Sequence, residues 1–502
     1  MSFSASTRAA SLARMAQSRF DVLVVGGGIT GAGIALDAAA RGFSVALAEK
    51  RDFASGTSGR SSRLVHGGLR YLEHGEVGLV RECLRERRIL RRLAPHLVRP
   101  VPMYLLAESA PTRAVYRAGL ASYDLLAAGR NIGVHHSVSA DRIRAAAPAF
   151  GGKRGGFRYV ECQTDDARLT VEVARTAHSL GAVLASYAEV TGLLGGAAVE
   201  GATVADKLTG ERLEVRASVT VNATGVWADQ VRGLAPGGVS RLRPSKGVHL
   251  VFAPGTIEAS AAFVIPSAAG DRRSVFLVPW EDRVYAGTTD TPYGGDLDDP
   301  PVEQADRDYI LAAVARYFPG VTDQDVIASW AGLRPLLGQA GPAGTATEDL
   351  SRRHATVEEL PRLFTITGGK LTTYRAMAED VVDRIAALLG PRGRCRTRDI
   401  PIGLHGSAEE ALALARREAT RLGLPSAAGD RLVLRYGDDW REAIGMIVAE
   451  PSLGEPVVDG LPVLNVEVEL ARSREMAVTD EDVFARRTRL TTRDASLRLP
   501  AS

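Results

Sequence analysis

The chain has 502 residues, more than one hydrophobic core holds, and suits two or three domains. Hydrophobic residues make up 45% and charged residues 24%, which excludes wholesale disorder, and no apolar run is long enough for a membrane-spanning helix. The net charge of +3 implies no general attraction to nucleic acid, and the cysteines at 83, 162 and 395 lie too far apart for a disulfide framework or a four-thiolate cluster.

The first predicted elements form a βαβ unit. Residues 1–19 are rich in Ser, Ala and Arg, and we expect a flexible extension there, with a transit peptide as the alternative. The apolar run 20–25 predicts a buried strand, residues 29–41 an Ala-rich helix and residues 43–48 a second strand.

The later elements predict a second sheet inserted in this α/β frame, followed by a helical region. Short apolar runs separated by turns fill residues 202–290 and predict an antiparallel sheet. The other predicted elements are helices at 77–94, 169–180 and 303–318, strands at 183–187 and 363–367, a helix ending near 389, and a mainly helical stretch from about 400 to 502.

A glycine-rich turn lies between the first strand and the first helix of the βαβ unit. Gly26, Gly28 and Gly31 satisfy the pattern GxGxxG, which permits a tight turn, the approach of a pyrophosphate and close packing of helix on strand. The N-terminus of the helix then presents partial positive charge to the phosphates. Glu49 ends the next strand, where a carboxylate can accept hydrogen bonds from ribose hydroxyls. The unit therefore predicts binding of a dinucleotide.

Three later segments indicate which dinucleotide binds. Residues 221–225 are a strand ending in a small-residue turn, and residues 367–373 are a second glycine turn that leads into a helix. Residues 55–62 follow Glu49 directly and are interpreted as a loop that covers the cofactor. A ligand held by segments so far apart is long and buried, which favours FAD over an exchangeable NAD.

Several motifs together resemble FAD-dependent glycerol-3-phosphate dehydrogenase. The resemblance covers about residues 20–390 and continues more weakly into the C-terminal region. Its motifs are Gly26–Gly31 with Gly33, Ser61–Leu72 (SSRLVHGGLRYL), Asp165–Leu169, Gly287–Asp290, Gly332–Leu336 and Gly368–Arg375. The chain departs from the family at Arg63, where Lys is frequent, and in the Ala/Gly-rich loop 340–356.

We therefore predict an α/β fold with a Rossmann-like FAD-binding domain, an inserted antiparallel β substrate domain and a C-terminal helical domain. The predicted division is an extension at 1–19, an oxidoreductase unit at 20–390 and a helical domain at 400–502. Within the oxidoreductase unit, the FAD-binding segments are roughly 20–80, 155–230 and 325–390, and the substrate-domain segments are roughly 81–154 and 231–324.

The predicted cofactor-binding residues come from the segments above and from the family motifs that adjoin them. They are Gly26, Gly28, Ile29, Thr30, Gly31, Glu49, Lys50, Thr57, Ser58, Ser61, Ser62, Arg63, Leu64, His66, Thr224, Gly225, Gly368, Gly369, Lys370, Leu371 and Thr372.

The resemblance implies oxidation of sn-glycerol 3-phosphate to dihydroxyacetone phosphate, with a hydride passing from C2 to FAD. A phosphate dianion calls for guanidinium donors, and the family positions for substrate binding correspond to Arg70, Tyr71, Arg334, Arg352 and Lys370. A base must take the hydroxyl proton, and His suits this task near neutral pH. His66 and His249 are both candidates. No residues have metal-ligand spacing.

The chain has no iron–sulfur or haem motif to pass electrons on, so a second substrate must take them directly from the reduced flavin. The residues leave open whether that substrate is quinone or oxygen. We predict quinone, reached by peripheral association with the cytoplasmic face of the membrane through the Arg-rich residues 81–99. A glycerophosphate oxidase that makes peroxide is the alternative enzyme, and a flavoprotein that binds an anionic surface is the non-enzymatic one. Nucleic acid is not expected, because residues 81–99 lack aromatic side chains for stacking. A homodimer is allowed.

Overall fold

The computed structural model describes residues 2–73, 75–129, 131–238, 240–271, 273–338 and 354–497. Its strands are β1 (Arg19–Val25), β2 (Val45–Ala48), β3 (Leu64–Val65), β4 (Arg99–Leu106), β5 (His136–Val138), β6 (Gly156–Gln163), β7 (Val183–Ala185), β8 (Ala188–Gly195), β9 (Val199–Asp206), β10 (Arg212–Asn222), β11 (Ser245–Phe252), β12 (Ala262–Pro266), β13 (Ser274–Trp280), β14 (Arg283–Gly287), β15 (Thr291–Pro292), β16 (Val326–Arg334), β17 (Ala355–Leu360) and β18 (Leu363–Thr367).

The helices lie mainly between the strands of the first two domains and then dominate the C-terminal region. They are α1 (Arg8–Gln17), α2 (Ile29–Ala40), α3 (Val77–Leu93), α4 (Ala110–Ala127), α5 (Ala140–Arg144), α6 (Asp166–Ser179), α7 (Ala228–Arg232), α8 (Gln304–Ala315), α9 (Tyr374–Leu389), α10 (Ala408–Arg421), α11 (Ser426–Tyr436), α12 (Trp440–Ala449), α13 (Asn465–Glu475) and α14 (Leu490–Arg493), with a π-helical turn at Asp482–Arg487. Within the described ranges, no helix is long and apolar enough to cross a membrane.

The first sheet has the strand order β17-β18-β10-β1-β2-β7, with β9 added on β10 and β8 on β9. Its centre is parallel, because β1 pairs with both β2 and β10, and β10 pairs with β18. The wholly buried apolar residues of β1 and β2 are typical of a parallel sheet covered on its faces. Helix α2 packs against α6 and α9. This arrangement confirms the predicted Rossmann-like frame.

The second sheet has the order β15-β11-β14-β13-β12-β4-β6-β3, with β16 on β11 and β5 on β6. It is largely antiparallel as predicted, although β12 and β4 pair in parallel. Strands β6 and β16 belong to this sheet, whereas the predicted segments 155–230 and 325–390 grouped them with the FAD-binding part. Strands β9 and β10 belong to the first sheet. They fall in the predicted FAD-binding segment 155–230, although the short apolar runs of residues 202–290 were also interpreted as one inserted antiparallel sheet. Local apolar runs do not reveal which sheet a strand joins, since pairing is set by distant partners.

The N-terminal residues correct one expectation, because they form a packed helix and not a flexible extension. Helix α1 buries Leu12 and Met15 against the first sheet. The buried Arg8 side chain pairs with Asp206 at 2.5 Å and donates from Nε to the carbonyl oxygen of Ser186 at 2.6 Å. Composition alone could not reveal this, since both partners lie about 180 residues or more along the chain.

The C-terminal region is helical, as predicted, over the residues described. Helices α10 to α13 share an apolar core that includes Leu432, Trp440 and Leu470. Beyond α13, residues 482–493 return to the first two domains and bury several arginine side chains there. The C-terminal domain is thus joined to the rest of the molecule by charged contacts as well as by packing.

Candidate active site

The glycine turn after β1 needs glycine at particular positions. Gly26 has a φ of +108°, and a Cβ there would lie 2.7 Å from the carbonyl oxygen of Ala223. A Cβ on Gly31 would lie 1.9 Å from the carbonyl oxygen of Gly26. The N-terminus of α2 begins after Gly28, where the Ile29 N–H donates to Ser58 Oγ at 2.9 Å and the helix end offers partial positive charge to phosphate oxygens.

Glu49 lies at the end of β2, beside this turn. Its carboxylate accepts hydrogen bonds from the backbone N–H groups of Gly27 at 2.6 Å and Arg51 at 2.8 Å. Burial raises the pKa of Glu49, against the effect of these two donors. The side chain therefore supports the glycine turn itself as well as lining the space next to it.

A cavity of about 490 Å³, called here the glycine cavity, opens along the turn. Most of the predicted cofactor-binding residues line it. These are Gly26, Gly28, Ile29, Thr30, Glu49, Lys50, Thr57, Ser58, Ser61, Thr224, Gly225, Gly368, Gly369, Lys370 and Leu371. A cradle of glycines, a helix N-terminus and a strand-end carboxylate fit the pyrophosphate and ribose of FAD.

A second cavity of about 870 Å³ adjoins the first and is called here the histidine cavity. The predicted residues that line it are Thr57, Ser61, Ser62, Leu64, His66, Arg70, Tyr71, His249, Arg334, Gly368, Gly369, Lys370, Leu371 and Thr372. Because the turn Gly368–Leu371 lines both cavities, a cofactor in the first can present its reactive end to a substrate in the second. The predicted catalytic, substrate-binding and cofactor-binding sets therefore meet at this turn.

Arg334 ends β16 inside the histidine cavity and is held in place by neighbouring oxygens. Its Nη2 donates to Thr288 Oγ1 and to the carbonyl oxygen of Thr289, both at 3.0 Å. Its Nη1 lies 3.4 Å from the buried carboxylate of Asp290. The guanidinium is thus oriented within the cavity, which suits recognition of an anion.

Lys370 lies at the junction of the two cavities. Its Nζ is 3.4 Å from the centroid of the Tyr71 ring and 3.6 Å from the buried thiol of Cys83. Burial raises the pKa of Cys83, and Lys370 opposes that effect. Arg70 and Tyr71 come from the short 3₁₀ turn after Gly68, and both line the histidine cavity with Lys370.

His249 lies on β11 and is nearly fully buried, with 3% of its surface exposed. Its Nε2 is 2.8 Å from Ser62 Oγ, and its ring stacks on Trp330 with centroids 4.7 Å apart. Burial lowers the pKa of His249 well below the ordinary value, and the cations of Arg334 and Arg63 lower it further. The imidazole is therefore neutral at physiological pH, as a general base requires.

His66 also lines the histidine cavity and lies directly after β3. Its backbone N–H is 3.3 Å from Thr372 Oγ1, and its side chain is half-buried. Both predicted histidines therefore line the same cavity, and His249 is the one whose burial and neighbours keep the imidazole neutral.

The Arg63 side chain lines neither cavity, which differs from its prediction as a cofactor-binding residue. It is 2% exposed, and its guanidinium carbon lies 3.8 Å from a Trp280 ring centroid and 4.6 Å from that of Trp330. Among the described residues, none of its guanidinium nitrogens has a hydrogen-bond partner. Of the other predicted residues, Gly31 acts through packing, and Arg352 lies outside the described residues.

Two side chains at the site were missing from the predicted set. Asp290 contacts Arg334 and accepts a hydrogen bond from Ser245, and its place in the motif Gly287–Asp290 was the available signal. Trp330 stacks on His249, but its sequence offered no sign of this contact, because β11 and β16 become neighbours only in the folded sheet. Across the described ranges, no group of three or more His, Cys, Asp or Glu side chains is arranged to hold a metal ion.

Comparisons with known proteins show the family of this chain. The family model for FAD dependent oxidoreductase matches residues 21–384, and the model for the C-terminal domain of alpha-glycerophosphate oxidase matches residues 395–501. The chain is 40% identical over 501 residues to glycerol-3-phosphate dehydrogenase 2 of Mycobacterium bovis, covering 96% of this chain and 83% of that protein. It is also 36% identical over 451 residues to the alpha-glycerophosphate oxidase of Streptococcus pneumoniae, covering 78% and 74% of the two chains.

A solved structure extends this likeness to the fold. Glycerol-3-phosphate dehydrogenase from Bacillus halodurans, complexed with FAD, superposes with a TM-score of 0.80 at 33% identity, covering 98% of this chain and 90% of that one. The chain therefore belongs to the family of FAD-dependent oxidoreductases that includes these glycerol-3-phosphate dehydrogenases.

Proposed function

We propose that this enzyme oxidises sn-glycerol 3-phosphate to dihydroxyacetone phosphate. Bound in the glycine cavity, FAD would supply the chemistry by accepting a hydride from C2 of the substrate. The observation that carries the proposal is that Arg334, Lys370 and His249 line one cavity that joins the glycine cavity at Gly368–Leu371. The relatives named glycerol-3-phosphate dehydrogenase support the same substrate.

The substrate phosphate would meet the cationic side of the histidine cavity. Arg334, Arg70 and Lys370 all line this cavity, and Arg334 is oriented by Thr288 and Asp290. Oriented guanidinium donors bind phosphate by charge-assisted hydrogen bonds. Unesterified glycerol lacks the anion that these cations recognise, so it should be a poor substrate.

The hydroxyl proton would pass to His249. Its depressed pKa leaves the imidazole neutral and able to accept a proton, and Ser62 Oγ lies at hydrogen-bond distance from Nε2. His66 is the second candidate, because it lines the same cavity. In either case the base lies in the cavity that would hold the substrate.

For the electron acceptor we favour a quinone at a membrane surface. The wall of the histidine cavity includes three apolar side chains that are unusually exposed, Val77 at 39%, Val115 at 62% and Leu125 at 80%. On the nearby helix α3, Arg81, Arg85 and Arg88 are exposed, and basic residues near an anionic leaflet contribute about 1 kcal/mol each. These features support peripheral binding to the cytoplasmic face of a membrane.

Oxygen is the second candidate acceptor, supported by the likeness to an alpha-glycerophosphate oxidase. An oxidase of this kind needs no membrane contact and produces peroxide in proportion to turnover.

The test is to add glycerol 3-phosphate to the FAD-loaded protein without oxygen and to record the absorption spectrum of the flavin. Bleaching of the oxidised flavin band supports the proposal, and an unchanged spectrum contradicts it. A quinone analogue or air is then added to the reduced enzyme. Reoxidation that is faster with the quinone supports the dehydrogenase, whereas equal rates with stoichiometric peroxide support the oxidase.

A further inference from the structure

Residues 52–62, called here the cofactor loop, connect the two cavities. Thr57 and Ser61 line both cavities, and Ser62 lines the histidine cavity. The Ser62 hydroxyl is the group that meets His249 Nε2. The placement of this loop therefore decides where that hydroxyl lies relative to the proposed base.

A buried carboxylate holds the end of the cofactor loop. Asp166, at the start of α6, accepts hydrogen bonds at Oδ2 from the Ser61 backbone N–H at 2.8 Å and from Ser61 Oγ at 2.7 Å. Ser61 Oγ also accepts a hydrogen bond from the Arg63 backbone N–H at 3.0 Å, so its contacts flank Ser62 on both sides. Because Asp166 is fully buried, its charge needs a cation nearby.

That cation is supplied by the C-terminal domain. Arg489 donates from Nη2 to Asp166 Oδ1, and from the same atom to Asp165 at 2.9 Å. Its Nη1 donates to the carbonyl oxygen of Gly59, within the cofactor loop, at 3.0 Å. Arg489 is 2% exposed. One side chain from the C-terminal domain therefore contacts the loop backbone directly and also holds the carboxylate that fixes Ser61.

The other end of the loop is held from the same part of the chain. Asp52 is fully buried and accepts hydrogen bonds from Arg486 Nε at 2.6 Å and from two Arg487 nitrogens at 2.7 Å each. These contacts join positions more than 430 residues apart in sequence. The loop is thus held at both ends by arginines of the C-terminal domain.

We propose that Arg489 is a positioning residue for the oxidation, through which the C-terminal domain places Ser62 against His249 and the cofactor loop against FAD. The role assigned to Ser62 and His249 rests on the proposed function, whereas the placement of the loop does not. Arg489 acts through Asp166 and Gly59 and does not itself line either cavity.

The first test compares Arg489→Gln with Arg431→Gln in the full-length protein. Arg431 is a matched control, because it is a buried arginine of the same domain that donates to Glu467 at 2.7 Å and also contacts another domain, at Glu281 (3.2 Å), away from the cofactor loop. We expect Arg489→Gln to lower kcat, measured per bound FAD, about 10- to 100-fold, since a displaced catalytic group costs rate. Its Kd for FAD should rise about 10-fold, and Arg431→Gln should change both quantities less than about 2-fold.

A second readout does not depend on activity. Amide hydrogen exchange of the cofactor loop, measured by mass spectrometry without substrate, should be at least about 10-fold faster in Arg489→Gln than in Arg431→Gln, because the Ser61 N–H loses its fixed acceptor. If both variants lower Tm alike while loop exchange and kcat per bound FAD stay at the wild-type values, Arg489 is only a structural residue and the proposal is wrong.

A third comparison follows the route through Ser62. Adding Ser62→Ala to Arg489→Gln should cost less than about 3-fold beyond the stronger single variant, because both changes act on one contact, whereas independent effects would multiply. If Arg489→Gln does not fold, Asp166→Asn replaces it, because this variant removes the other partner of the same ion pair, and the same three results are expected. If glycerol 3-phosphate does not reduce the wild-type flavin, the proposed function is wrong. The positioning role is still tested then by the amide hydrogen exchange of the cofactor loop and by the Kd for FAD.

Discussion

Arg334 is oriented before any substrate arrives, because Thr288, Thr289 and Asp290 already hold its guanidinium. Preorganised donors bind an anion with little further loss of conformational freedom. In the proposed function, Arg334 of the second sheet would therefore meet the substrate phosphate, while the glycine turns of the first sheet would hold the cofactor.

Replacing Arg334 by Ala should raise KM for glycerol 3-phosphate about 30- to 1000-fold while FAD stays bound. Loss of a partly desolvated charge-assisted contact costs about 2–4 kcal/mol, and each 1.4 kcal/mol is tenfold. Steady-state kinetics with the flavin spectrum measure both effects. Arg316→Ala, which breaks an exposed pair with Glu108, should leave KM within about 2-fold. Comparable turnover of glycerol and glycerol 3-phosphate by the wild-type protein would contradict this account of the phosphate site.

Arg63 is a buried cation enclosed by aromatic rings, next in sequence to Ser62. Burial is the main reason that its own pKa is lowered, and its charge in turn lowers the pKa of His249. The side chain therefore influences the proposed base without entering the cavity.

Replacing Arg63 by Met should move the acid limb of the pH profile of kcat/KM to higher pH. A base works when neutral, so the rate falls as pH drops through its pKa, and loss of a nearby cation raises that pKa. The profile, extended well below the ordinary His pKa of about 6.5, measures this shift. His249→Asn should remove the limb altogether if His249 is the base. If the acid limb of the profile does not move in Arg63→Met, another group, such as His66, is responsible for it.

At the scale of elements, the turn between β1 and α2 depends on the approach of Gly31 to the carbonyl oxygen of Gly26. Gly31→Ala would place a Cβ 1.9 Å from that oxygen, so the turn must open and the helix must shift away from the strand. We expect the Kd for FAD to rise at least about 10-fold, as measured by fluorescence titration of the apoprotein.

Gly445→Ala is the matched control for this substitution, because Gly445 lies inside α12 with open space around it. Alanine there should leave FAD binding unchanged and stabilise the fold by about 0.5–1 kcal/mol. Equal FAD affinities for the two variants would show that the turn tolerates a side chain.

At the scale of the whole molecule, the C-terminal domain is attached by buried ion pairs. Asp165 and Glu281, which lie outside that domain, each contact arginines of it. Burial would raise the pKa of each carboxyl, but the neighbouring arginines outweigh it and lower both. A carboxylate with a lowered folded-state pKa contributes stability that is fully present above its unfolded value and is lost as pH falls below it.

Thermal stability should therefore fall as pH drops from about 5 to 3, across the unfolded pKa values of about 4 for Asp and Glu. Glu49 acts in the opposite sense, because burial raises its pKa, so a single variant is needed to isolate the effect. Asp165→Asn should destabilise the protein by about 3–5 kcal/mol at neutral pH and flatten the fall in acid. Calorimetric Tm values from pH 3 to 7 measure both effects, and a wild-type Tm that does not change in acid would contradict the prediction.

The sequence alone was enough for the features that depend on neighbouring residues. The glycine turn at 26–31, the strand-end carboxylate Glu49 and the second glycine turn at 368–369 are local patterns, because tight turns and helix N-termini need particular residues at short spacing. Helices α2, α3, α6, α8 and α9 and strands β1, β2, β7 and β18 followed from apolar patterns for the same reason, whereas α1, α4 and strands β4 to β6 were not among the predicted elements. Motifs of this kind were sufficient to indicate FAD, and the family comparisons support that conclusion.

Only the tertiary structure decided which distant residues meet. Arg8 forms a buried pair with Asp206, Arg63 enters an aromatic cage, and Arg489 reaches Asp166, in each case across a long stretch of chain or between separate strands. A charged side chain far from its partner has no local pattern that distinguishes it from a solvated surface residue, and in a chain with 62 Lys and Arg residues most such positions look alike. Burial becomes favourable only when the fold brings an oppositely charged group or an aromatic face to the same place, since the cost of removing the charge from water must be offset there.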